Sequence, residues 1–293
     1  MWSRPMQENF GDTTGFAGCS HRTWLKGTAL LRRFVLRLAI LPGTLLLVLP
    51  TGYGIASDGS LPSTTPEVAS PTPCSSCREF DRLNSLVRDG NIPKETARAE
   101  IPGLLRLIRE WYHQAGGTSS TRADWVFPLK GYMVTAVGGG RTHGYLPKGY
   151  SYYDGNRHGG HPSLDIFIRD RNRDDRDDRT GDYVAVLAVS GGIVVARETE
   201  WQEGSKLRGG KYLWVYDPST DHLFYYAHLR ETVVSVESII MPGDTLGFVG
   251  RTGLNAHKKR SPTHLHLTCL STTTSSLLPE NIYPDLVRAR TVK

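Results

Sequence analysis

From Trp125 onward the chain is a succession of short apolar runs, each about one strand long and bounded by glycine, proline or aspartate. Tyr183-Val184-Ala185-Val186-Leu187-Ala188-Val189, Gly192-Ile193-Val194-Val195-Ala196, Tyr212-Leu213-Trp214-Val215-Tyr216, Leu223-Phe224-Tyr225-Tyr226-Ala227 and Thr245-Leu246-Gly247-Phe248-Val249 follow one another with no long helical pattern between them. Parallel strands need long crossover connections, usually helices, so this pattern predicts a mainly β, antiparallel domain. The alternating charges of residues 169–179 read as a solvated loop between strands.

A different pattern precedes the β region. Leu104, Leu105, Leu107, Ile108, Trp111 and Tyr112 fall on one stripe, and Gly116-Gly117 ends it, so residues 78–120 are expected to form a small helical region. Residues 58–77 are rich in Ser, Thr and Pro, the composition of a linker. Residues 1–57 read as a targeting segment: a basic stretch ends Leu31-Arg32-Arg33-Phe34-Val35-Leu36-Arg37, and an apolar run from Leu38 to Pro50 follows. Gly54-Ile55-Ala56-Ser57 then offers small residues for a signal peptidase. A cleaved signal peptide is favoured over a retained membrane anchor, because Pro42, Gly43, Pro50 and Gly52 weaken a spanning helix. Either way the chain is expected in the periplasm or cell envelope, or secreted.

The net charge of +6 might suggest nucleic acid, but its distribution argues against that. Six basic residues (Arg4, Arg22, Lys26, Arg32, Arg33, Arg37) against Glu8 and Asp12 put +4 before residue 58, leaving +2 for the rest. Cys74-Ser75-Ser76-Cys77 has the spacing of a redox or zinc motif, yet no second pair accompanies it. In an oxidising compartment a short local disulfide, or none, is the simpler expectation, and Cys269 stands apart.

Seven of the ten histidines lie between His158 and His266, concentrated where the strand pattern is most regular. Three segments stand out: His161-Pro162-Ser163-Leu164-Asp165, Tyr226-Ala227-His228-Leu229 and His264-Leu265-His266. Alternate side chains of a strand share a face, so His264 and His266 project together while Leu265, Leu267 and Cys269 point the other way. The same rule puts Asp165 and Phe167 on one face and Leu164, Ile166 and Ile168 on the other. Two imidazoles and a carboxylate can hold zinc and leave a fourth position open for water, the arrangement of a hydrolytic site. A lone histidine in a β domain is usually a satisfied or exposed polar residue, and His143, His222 and His257 are read that way. His158, three residues before His161 in a glycine-rich turn, is expected at the rim.

The order of these pieces over residues 121–275 resembles that of the lysostaphin-like, or LytM-type, zinc endopeptidases of bacterial cell walls. Their H-x-x-x-D segment, G-x-V turn, Y-A-H-L strand, G-D-x-L-G-x-V-G-x-T-G ramp and H-L-H strand correspond here to five stretches. These are His161 to Asp165, Gly192-Ile193-Val194, Tyr226 to Leu229, Gly243 to Gly253, and His264 to His266. The resemblance implies that His161, Asp165 and His266 ligate Zn2+, while His228 and His264 stand beside the open position as catalytic groups. It implies cleavage of peptide bonds in peptidoglycan stems or cross-links by a zinc-activated water.

Two departures touch the groove rim. Ser163 replaces the family's usual glycine, and the insert Asn255 to Pro262, with His257, Lys258, Lys259 and Arg260, is unusually basic. The alternative function is a non-catalytic regulator or binder of peptidoglycan or of a cell-wall hydrolase. Such degenerate forms lack metal ligands, whereas this chain keeps them. A D-Ala-D-Ala peptidase of another zinc fold would need a longer His-to-Asp spacing and a Glu-x-x-His element, neither of which is present, and there is no H-E-x-x-H helix or G-x-S-x-G elbow. The helical region is expected to cover the groove or to position the domain, and residues 276–293 read as a C-terminal tail.

Overall fold

The apolar runs pair into one antiparallel sheet in the computed structural model, which describes residues 72–293. Its nine strands are β1 (Ser163–Phe167), β2 (Ala185–Leu187), β3 (Gly192–Glu198), β4 (Lys211–Asp217), β5 (His222–Thr232), β6 (Ile239–Ile240), β7 (Thr245–Val249), β8 (His264–Ser271) and β9 (Leu278–Pro279). The main order is β1-β8-β5-β4-β3-β6; β7 pairs with β2 and β5, and β9 with β8. The His264-Leu265-His266 strand is therefore internal, held between β1 and β5. Its register puts Phe167 opposite His264, and both Asp165 and Ala227 opposite His266.

Strand alternation divides the core in two. Leu164, Ile166, Leu265, Leu267, Cys269, Phe224 and Tyr226 bury one face, together with Trp125, Phe127 and Leu129 from the segment before β1. Burial also pushes the Cys269 thiol well up in pKa, which makes it an inert core group. The other face carries Tyr212, Trp214, Tyr216, Leu223, Ala227 and Leu270, and helices α1 (Ser75–Asp89) and α2 (Lys94–Gln114) cover part of it. Phe80, Leu83 and Val87 of α1 and Ile101, Leu105 and Ile108 of α2 are the buried stripes. Full burial of such a side chain contributes roughly 1.5–3 kcal/mol, and Phe80→Ala should cost about 3–5 kcal/mol once the cavity is included.

α1 begins at Ser75, inside the stretch expected as linker, because a Cys74–Cys77 disulfide and the Cys74 cap organise its first turn. It ends at Gly90, whose φ of +74° lets Asn91 N–H reach back 2.8 Å to the Leu86 carbonyl. The stripe on α2 is narrower than the sequence suggested: Leu107 is exposed, and Leu104 and Trp111 are half-buried.

Residues 276–293 are not a loose tail. β9 adds to β8, α3 (Tyr283–Arg288) follows, and Leu277, Ile282 and Leu286 are buried. Their irregular spacing carries no periodic signal, which is why the sequence pattern missed them. Residues 1–57, expected to be a signal or anchor segment, and most of the expected linker lie outside the described residues. Among the described residues no helix is long and apolar enough to cross a membrane.

Candidate metal centre

Cross-strand register assembles the first part of the site. Asp165 on β1 faces His266 on β8, and the His266 Nδ1 lies 3.0 Å from Asp165 Oδ1. His264, two residues earlier on the same face, brings its Nε2 to 3.8 Å from the same oxygen. His161 comes from the loop before β1, where it exchanges two 2.7 Å backbone hydrogen bonds with Leu146. Its Nε2 lies 3.4 Å from Asp165 Oδ2.

His228 arrives by a different device. Regular alternation along β5 would put it beside Phe224 and Tyr226, on the face away from His266. Instead, Ala227 and His228 together stand against the single residue Tyr212 of β4, a β-bulge, and His228 adopts a φ of +63°. The bulge moves Leu229 into the core beside Tyr226 and turns His228 to the face of His264 and His266, with ring centroids 4.9 and 5.3 Å away. A left-handed φ at a non-glycine residue costs on the order of 1–3 kcal/mol and persists only where the surroundings enforce it. Gly253 helps to do so: its φ is +115°, and a Cβ there would stand 2.4 Å from the Arg208 carbonyl oxygen and 2.9 Å from His228 Nδ1.

Hydrogen bonds to carbonyls fix three of the four imidazoles, because a carbonyl only accepts. His161 Nδ1–H donates to Gly144 at 2.8 Å, His228 Nδ1–H to Thr252 at 2.8 Å, and His264 Nδ1–H to Pro262 at 2.8 Å. In its neutral form each therefore turns the lone pair of Nε2 toward the site. His266 is the exception, presenting Nδ1 to Asp165 and Nε2 to Ser163 Oγ at 2.7 Å. Ser163 Oγ in turn meets Thr268 Oγ1 at 2.5 Å. A hydroxyl both donates and accepts, so this pair serves either tautomer of His266.

Burial disfavours charge on Asp165, but hydrogen bonds from His161 and His266 and the nearby imidazole charges outweigh it and hold the carboxyl well below the usual carboxylate range. Burial pulls His161 down, and Asp165 overrides it, leaving His161 above its ordinary value. Burial, reinforced by His264 and His266, pushes His228 well below its ordinary value. His266 is lowered too, by burial that Asp165 only partly offsets. The site thus combines an ionised carboxylate with two imidazoles, His228 and His266, whose burial favours the neutral form that cation ligands require.

Two trios of donor atoms, His161/Asp165/His266 and His228/His264/His266, each lie within 4.8 Å of one another. Nitrogen and carboxylate donors in this number fit a divalent metal. All five side chains line one cavity of about 270 Å³, rimmed by His158, Gly160, Arg208 and the 255–261 loop.

No protein-family model and no curated protein matches the chain. Solved structures do. The lysostaphin catalytic domain of Staphylococcus simulans is 24% identical over 49% of this chain and 86% of its own, with a TM-score of 0.33. A putative glycyl-glycine endopeptidase, LytM, from Ruminococcus gnavus is 21% identical over 76% and 91%, with a TM-score of 0.37. A zinc-containing peptidase from Vibrio cholerae is 18% identical over 60% of this chain and 41% of its own, with a TM-score of 0.35. The chain resembles the lysostaphin-like, LytM-type peptidases. It spans 43% of whole lysostaphin.

The structure brings His161, Asp165, His228, His264 and His266 together, all five of the expected site residues, and places His143, His222 and His257 outside the cluster. His222 is buried and hydrogen-bonded to Thr220 and Glu280, His143 stacks on Tyr283 at 3.5 Å, and His257 holds the Gly253 carbonyl. His158 stands at the rim as expected. Sequence reasoning did not find the contact of Ser163 with His266, the bulge, or Arg208 on the cavity wall. A serine at the first position of a strand and an arginine in a loop carry no periodic signal, and Ser163 drew notice only as a departure from glycine.

Proposed function

We propose that this chain is an exported zinc metalloendopeptidase that hydrolyses peptide bonds in the stems or cross-links of peptidoglycan. The observation that carries this reading is the convergence of His161, Asp165 and His266 with two further imidazoles, His228 and His264, whose Nδ1 atoms are tied to backbone carbonyls so that Nε2 faces the site. His161 Nε2, Asp165 and His266 Nδ1 would hold Zn2+, which supplies a bound water of lowered pKa and a Lewis acid for the scissile carbonyl. His228 and His264 then accept or orient the water proton and, once protonated, stabilise the negative charge developing on the carbonyl oxygen. The lowered basicity of His228 suits it to pass a proton on rather than retain it. The Cys74–Cys77 disulfide supports an oxidising compartment and hence export.

The test is digestion of purified, cross-linked peptidoglycan with and without a chelator, followed by mass analysis of the fragments. Chelator-sensitive loss of cross-linked dimers is expected. Intact dimers after prolonged digestion with zinc-loaded protein would reject the activity and leave the regulatory alternative.

A further inference from the structure

The cavity of the five side chains does not end at the metal-ligating cluster. His158, Pro162, Arg208, Gly209, Tyr225 and His266 also line a second chamber of about 90 Å³, which continues between the sheet and α1. Asn84, Val87 and Arg88 of α1 roof it, and Tyr150, Tyr152, Tyr212 and Trp214 supply most of its remaining wall. It has room for a few waters or one short side chain.

The charges around this junction are unequal. Arg88 is neutralised: its guanidinium meets Asp89 at 2.8 Å and Glu198 at 2.6 Å. Arg208 is not. Its backbone N–H is tied to Asn156 Oδ1 at 2.9 Å and one guanidinium nitrogen to the His158 carbonyl at 2.7 Å, which fixes the side chain at the junction. Among the described residues no carboxylate pairs with it. The two cavities hold a single carboxylate between them, Asp165, which is committed to His161 and His266. Across the cleft the 255–261 loop, pinned by Arg251 to the Lys258 and Ser261 carbonyls, adds Lys259 and Arg260 at exposed positions. A fixed, unpaired guanidinium beside an aromatic chamber is complementary to a carboxylate on a short stem.

We infer that Arg208 is a specificity-determining residue, binding a free carboxylate that the substrate peptide carries next to the bond cut, while the adjoining short chain enters the chamber beneath α1. This rests on the peptidase reading and narrows it to peptides that are acidic at the scissile position. A bridge made of glycine alone would leave Arg208 unpaired.

The experiment compares cross-linked peptides released from peptidoglycan in two forms, with carboxylates free and with carboxylates converted to amides. Cleavage by wild-type, Arg208→Gln and Arg208→Lys protein is measured, as is calorimetric binding of both forms to the metal-free chains. Wild type should favour the free carboxylates by about tenfold or more in kcat/KM, mostly through KM. Arg208→Gln should lose that preference, and Arg208→Lys, which keeps the charge but not the fork, should retain part of it. Equal treatment of the two forms by wild type overturns the inference whether or not the Gln variant folds, and so does a preference that survives in Arg208→Gln. If neither form is cut, the peptidase reading fails while the binding arm still decides: carboxylate-selective binding lost in Arg208→Gln supports the subsite, and equal or absent binding overturns it.

Discussion

Ser163 Oγ lies 2.7 Å from Nε2 of His266, on the side of the ring opposite the Nδ1 that faces Asp165. The serine stands where the lysostaphin-like pattern that the sequence resembles has glycine, and register explains how it reaches: Ser163 pairs with Thr268, two residues beyond His266 on the same face of β8. With Nδ1 bound to a metal, Nε2–H donates to Ser163 and Ser163 donates to Thr268, which fixes ring orientation and tautomer together.

Ser163→Ala should therefore fold normally and bind zinc about 10–100-fold more weakly, the usual effect of removing a partner of a metal-bound histidine. Titration against a competing chelator measures it. Unchanged affinity would mean that strand packing alone orients His266.

Much of this site was legible because strand alternation is a strict rule. It placed His264 with His266, and Asp165 with Phe167, and the structure agrees: Leu164, Ile166, Leu265 and Leu267 all point into the opposite core. The same rule misplaces His228, since alternation along β5 sends it to the wrong face and only the bulge returns it. A bulge depends on tertiary pairing and on space that Gly253 leaves open, neither of which hydrophobic spacing records. The burial of Leu277, Ile282 and Leu286 was hidden for a related reason: their contacts are long-range and irregular. Arg208 became visible only when folding showed which cations are paired.

Gly253→Ala should destabilise the protein by more than about 1 kcal/mol and lower activity further, because the new methyl meets the Arg208 carbonyl and the His228 ring at an unfavourable φ. Gly103→Ala is the control. That glycine lies within α2 with nothing inside 4 Å of the added carbon, so the change should stabilise by up to about 1 kcal/mol. Paired thermal melts and peptide-cleavage rates test both, and a fully active Gly253→Ala would contradict the role given to the bulge.

His228 predicts a pH dependence for the metal-free chain. Its folded pKa lies well below the ordinary 6.5, so below pH 6.5 the unfolded chain binds a proton that the folded chain refuses. Its contribution to stability is present above pH 6.5 and is lost as pH falls toward the folded value, with a slope of up to about 1.4 kcal/mol per pH unit. Denaturant unfolding of wild type and His228→Gln between these limits should show the wild type losing stability faster as the solution is acidified. Parallel curves would remove the buried, neutral His228 from the account.

In the proposed arrangement His161, Asp165 and His266 hold the metal while His228 works beside it. His266 belongs to both trios of donor atoms, so the decisive comparison is between His161 and His228. Zinc content per chain, measured by elemental analysis on folded wild type, His161→Ala and His228→Ala, separates the two. Stoichiometric zinc is expected in wild type, almost none in His161→Ala, and near-full zinc with reduced turnover in His228→Ala. Full zinc in His161→Ala together with its loss from His228→Ala would contradict this arrangement and place the ion among the three imidazoles His228, His264 and His266.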